Sequence, residues 1–131
     1  PAEAWVLGED SGLEVAALEG RPGVKTARWA QGRHVERILE ALQGVADRRA
    51  RYVCELVAIA PDGRETRGTG TLEGTISEEP RGSEGFGFDP VFVPQGERRT
   101  VAELGEEWKA RHSHRAKAAS ALLAALGYRE S

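Results

Sequence analysis

Apolar residues first cluster at Ala4-Trp5-Val6-Leu7, a short run closed by Gly8 that has the pattern of a buried strand. The run delivers Glu9-Asp10-Ser11-Gly12, whose composition predicts a tight turn. Leu13 to Ala16 resumes the apolar pattern, and Gly20-Arg21-Pro22-Gly23 predicts a second turn. Val24 to Ala30, carrying Lys25, Arg28 and Trp29, predicts a short irregular or helical piece. The period then changes. From His34 to Leu42, Val35, Ile38, Leu39 and Leu42 recur at spacings of three and four, one apolar helix face that Gly44 stops.

From Arg51 to Ala60 the pattern alternates, with Tyr52, Cys54, Leu56 and Ala58 set against Val53, Glu55, Val57 and Ile59. Pro61-Asp62-Gly63-Arg64 is a turn, and Glu65 to Ile76 reads as the returning strand of a long β-hairpin. Gly68, Gly70 and Gly74 inside that strand predict bulges or a close backbone approach. Pro90 to Val93 predicts another buried strand, while Val101 to Leu104 is too short to assign. At the end, Ser113 is a natural N-cap for a helix whose stripe is Ala116, Ala119, Leu122, Leu123 and Leu126, stopping at Gly127.

Composition narrows the class. With 131 residues, 40% hydrophobic and 30% charged, the sequence predicts one folded domain spanning 1–131. A net charge of −3 offers no global basic field for duplex nucleic acid, so an anionic ligand must be met by local cations. The single cysteine, Cys54, excludes a disulfide framework within one chain. Apolar runs fall far short of the about 20 residues that cross a bilayer, and the expected setting is the cytoplasm, away from membranes. The chain starts at Pro1 and enters a strand-like run within a few residues, which predicts a fragment of a longer domain.

Three stretches carry candidate chemistry. Ser83 to Val93 packs Gly85, Phe86, Gly87, Phe88 and Asp89 ahead of Pro90, a loop that can hold a planar ring or merely turn the chain into a buried strand. Glu9 and Asp10 after a strand suit a hard cation or a general base; equally, Asp10 and Ser11 can cap backbone donors. His114 and Arg115 occupy the first turn of the last helix, where acids are electrostatically favoured, so a compensating anion or acceptor is implied. With Lys109, Arg111 and His112 just upstream, that helix end is a site for anions or carbonyl oxygens. His34 lies off its helix stripe and reads as an exposed helix-start residue. Neither a Walker-type phosphate loop nor a Ser-His-Asp or Cys-His arrangement can be specified.

Gly8-Glu9-Asp10-Ser11-Gly12-Leu13-Glu14-Val15, Gly85-Phe86-Gly87-Phe88-Asp89-Pro90-Val91-Phe92, and Lys109 with Ser113-His114-Arg115 and Lys117 occur in the order and spacing of the inosine triphosphate pyrophosphatase family. Gly23 to Trp29 is also similar to the family's stretch after its first motif. The resemblance implies an α/β fold, a mixed-sheet two-lobed domain with the nucleotide in a cleft, a long β-hairpin, a C-terminal helix and a homodimer. It implies hydrolysis of ITP, dITP or XTP to the monophosphate and pyrophosphate with Mg²⁺. Asp10 is then the proton acceptor and, with Glu9 beside it in the acidic pair, a metal ligand, and Ser11 lies at the substrate. Phe86, Gly87, Phe88, Asp89, Lys109, His114 and Arg115 form the base pocket.

Departures from the family are Glu9 for a common Asp, Phe88 for Tyr or Trp, and Trp108 for a charged residue. The family's opening strand, its Ser-x-Asn-x-x-Lys phosphate loop and a further Glu ligand do not precede Pro1, so the chain is expected to match the later two thirds of the domain. A non-catalytic nucleotide-binding or dimerisation piece is the alternative.

Overall fold

The structure is a computed structural model that describes residues 4–23, 25–83 and 85–127. Val24 and Glu84, which fall inside segments read from the sequence, lie outside the described residues, as do 1–3 and 128–131.

The first strand, β1, runs from Val6 to Val15 without the tight turn expected at Glu9 to Gly12. It pairs antiparallel with β3 (Arg49–Ile59) at every position, from Val6 opposite Ile59 to Val15 opposite Ala50. A complete ladder satisfies every backbone donor and acceptor along that edge, which outweighs the local turn preference of an Asp-Ser-Gly sequence. Pro22–Gly23, expected inside a turn, instead forms a short strand, β2, against Leu13 and Glu14. β3 and β4 (Glu65–Ile76) make the long hairpin, and β5 (Phe92–Pro94) pairs with Gly74 to Ile76. The sheet order is β2-β1-β3-β4-β5.

The α/β class, hairpin and terminal helix are as expected. All pairings among the described residues are antiparallel, so the parallel pair that a mixed sheet contains is absent from this part of the chain.

One face of the sheet is covered. Alternation along β3 points Ala50, Tyr52, Cys54, Leu56 and Ala58 to that face. Cys54, Leu56 and Ala58 pack against Ala118 and Leu122 of α5 (His114–Ala125). Tyr52 joins the larger core with Ile38 and Leu42 and with Phe88, Val91 and Phe92. Ile38 belongs to α2 (His34–Ala41), which follows the short α1 (Thr26–Ala30).

Two strand glycines let α5 sit directly on β4. A Cβ at Gly68 would overlap the backbone of Ala118 and Leu122, and one at Gly70 the backbone of His114 and Ala118. Their predicted role in close approach is therefore met. The unassigned Val101–Leu104 is a one-turn helix, α3, started by a capping box. Thr100 Oγ1 accepts from Glu103 N at 3.2 Å, and Glu103 Oε1 accepts from Thr100 N at 2.9 Å. Gly105, at φ 90°, breaks it from α4 (Glu106–His112).

Candidate functional site

The loop from Gly85 to Val91 folds back on its own aspartate. Gly85 and Gly87 have φ of 87° and 62°, and a Cβ at Gly85 would overlap the Asp89 carboxylate. The fold-back turns Phe88 inward, 3% exposed, and leaves Phe86 outward, 70% exposed. Asp89 is itself buried, 5% exposed. Its Oδ2 accepts from Phe86 N at 3.1 Å and from Lys109 Nζ of α4 at 2.8 Å. Its Oδ1 accepts from the Tyr52 hydroxyl of β3 at 3.0 Å. Lys109 Nζ also stands 4.2 Å from the centroid of the Phe86 ring, a cation over an aromatic face. One carboxylate thus ties the loop, α4 and the sheet together.

The opposite wall is the start of α5. Ser113 caps it as expected, its Oγ accepting from Ala116 N at 3.1 Å. His114 lies flat on Tyr52, ring centroids 4.6 Å apart at 15°. Burial, assisted by the neighbouring Arg115 charge, pushes the imidazole down to about 4, so it is neutral near pH 7. Its Nδ1 is shielded from solvent with no partner among the described residues. A buried N–H without an acceptor is rarer than a bare lone pair, so the proton belongs on Nε2.

Arg115 meets Glu9 of β1, its guanidinium 2.7 Å and its Nε 2.8 Å from Glu9 Oε1. Ser11 Oγ donates to the same oxygen at 2.9 Å. Burial works to raise the Glu9 carboxyl, but the hydrogen bonds from Ser11 and Arg115 and the Arg115 charge hold it below its ordinary value. Glu9 is the anion that the cation-bearing first turn of α5 required.

Between these walls lies a cavity of about 190 Å³, bounded by Phe86 to Asp89, Lys109, His114, Arg115 and Ser11, with Gly12 and Leu13 at one side. Every expected base-pocket residue therefore borders one space. His34 and Thr26 border it too. His34 meets Phe88 edge-on, centroids 5.0 Å apart, and is only half-buried rather than an exposed helix start. No local signal marks it, because its partner comes from a distant loop. Tyr52, read only as a strand residue, had no signal beyond its alternation.

Asp10 stands apart. Successive strand residues face opposite ways, so Glu9 and Ser11 look towards α5 while Asp10 looks out through the other face. There it borders a second hollow with Gly12, Glu14, Gly23, Val53 and Glu55. The structure does not bring Glu9 and Asp10 together as an acidic pair. Glu14 is paired with Arg51 at 2.7 Å, and Glu55 with Arg67. No cluster of three or more His, Cys, Asp or Glu side chains fit to hold a metal ion occurs among the described residues. Mg²⁺ asks less, being held typically by one or two carboxylates together with substrate phosphates. Asp10 fits that role, whereas Glu9, already bound to a guanidinium, fits it poorly. Gly12, a position without a side chain, borders both hollows.

Comparison with known proteins places this geometry. The Ham1 family profile matches residues 2–125. A dITP/XTP pyrophosphatase of Bdellovibrio bacteriovorus is 43% identical over 129 residues, covering 93% of this chain and 65% of the relative. One of Ignicoccus hospitalis is 50% identical over 116 residues, covering 88% and 62%. The chain thus spans a little under two thirds of the length of these curated relatives. The solved Staphylococcus aureus Ham1 protein superposes with a TM-score of 0.88 at 38% identity, covering 95% of this chain and 68% of that one. Profile, sequence and fold agree over nearly all of these residues, and the chain belongs to the Ham1 family.

Proposed function

We propose that this chain acts in the hydrolysis of 6-keto purine nucleoside triphosphates, dITP, ITP and XTP, to the monophosphate and pyrophosphate. The names of the two relatives, dITP/XTP pyrophosphatase, support the reaction class. The observation that carries the substrate class is the rim of the cavity beside Phe86. Its donors are Lys109, Arg115 and a neutral His114 with its proton on Nε2, set with the Asp89 carboxylate beside the exposed Phe86 ring. A purine stacked on Phe86 and bearing a keto oxygen matches that rim. The 6-amino group of adenine sets donor against donor.

With the base so held, the phosphates pass Gly12 towards Asp10. Water attacks the α-phosphorus, the bond to the bridging oxygen breaks, and pyrophosphate leaves as the water's proton passes to Asp10. Asp10, together with the phosphates, would hold Mg²⁺, which would supply charge neutralisation and a more acidic water. Glu9 and Ser11 hold Arg115 to the base. A cytoplasmic homodimer completes the proposal; sedimentation velocity checks the dimer, and a monomer at micromolar concentration refutes it.

The test is pyrophosphate release with Mg²⁺ from dITP, ITP and XTP against ATP. Each unmatched buried donor costs about tenfold to a hundredfold, so ATP turns over at least tenfold more slowly. Equal rates on all of them overturn the substrate class. Calorimetry that finds ITP bound without pyrophosphate release favours the non-catalytic alternative.

A further inference from the structure

We infer that Tyr52 is a positioning residue for base recognition, its hydroxyl aiming the Asp89–Lys109 pair and its ring setting the plane of His114. The inference rests on the function proposed above. Tyr52 sits in β3, outside every motif that marks the site, yet it touches both walls of the cavity. Its ring is held between Phe92, with centroids 4.4 Å apart, and His114, with centroids 4.6 Å apart. Its hydroxyl is the one donor to Asp89 Oδ1 among the described residues, while Oδ2 carries Phe86 N and Lys109 Nζ.

That division of oxygens has a consequence. With Oδ1 engaged by Tyr52, the carboxylate cannot rotate to offer both oxygens to Lys109, and the ammonium stays on Oδ2, over the Phe86 ring. Without the hydroxyl, a buried Oδ1 loses its donor, and the carboxylate turns to regain one from Lys109. The cation then leaves the Phe86 ring.

Tyr52→Phe keeps both ring contacts and removes only the O–H, so it isolates the effect. The expected result is a KM for ITP raised about tenfold with kcat within about twofold, the change that one lost partner of a buried group produces. Asp89→Asn and the double variant complete a cycle, and the two losses are expected to be strongly non-additive. An unchanged KM in Tyr52→Phe, additive losses, or an equal fall in kcat for ITP and ATP with a lowered melting temperature each overturns the inference. The first two leave the proposed function intact if the wild type still prefers ITP. A wild type that neither binds nor hydrolyses ITP overturns both.

Discussion

His114 is the residue whose protonation bears most directly on folding. Burial first, then Arg115, lowers its imidazole to about 4 from an ordinary 6.5. The unfolded chain therefore takes up a proton between those values while the folded chain does not, and stability falls as pH drops from about 6.5 towards 4. This group makes the protein about 2 kcal/mol less stable at pH 5 than at pH 7. Denaturant unfolding at the two pH values checks it. His114→Gln is expected to flatten the slope; an unchanged slope refutes the assignment. Among single residues, the need for an anion near His114 and Arg115 was legible in the sequence, since cations at a helix N-terminus are unfavourable alone. Glu9 as that anion was not legible, because the pair joins the two ends of the described chain.

At the scale of elements, α5 lies where it does because β4 has no side chains at two positions. Gly70→Ala is expected to lower stability by about 2–3 kcal/mol, because its Cβ must displace the backbone at His114 and Ala118. The same shift moves one wall of the cavity, so nucleotide affinity falls with it. Gly8→Ala, with nothing within 4 Å of the added Cβ, is the control and changes stability by less than about 0.5 kcal/mol. Thermal melts of the pair decide the matter. A smaller effect is expected at α3, where Thr100→Ala removes one half of the capping box and costs about 1 kcal/mol. The hairpin and the helices at His34 and Ser113 were legible because each carries its own period. The continuity of β1 through the turn expected at Glu9 to Gly12 was not legible, since the ladder that keeps it straight belongs to β3.

For the whole molecule, the sheet separates two sets of residues. The groups of the proposed base pocket converge on the face covered by α5, and Asp10 stands on the other, with Gly12 bordering both hollows. Asp10→Asn is therefore expected to reduce pyrophosphate release by about 10²–10⁴-fold while ITP binding measured without metal changes by less than about threefold. A parallel loss of binding would refute the separation. The sequence by itself determined the candidate residues: the Phe86-Gly87-Phe88-Asp89 loop, the Lys109 to Arg115 cations and the acidic Glu9-Asp10 step all stand in linear motifs. Only the tertiary structure decided how those groups divide. Strand periodicity sent Glu9 to Arg115 and Asp10 to the far face, and the fold-back of the loop gave Asp89 to Tyr52 and Lys109. Contacts between residues far apart in sequence depend on which strands pair and which faces pack, and no local pattern encodes that choice.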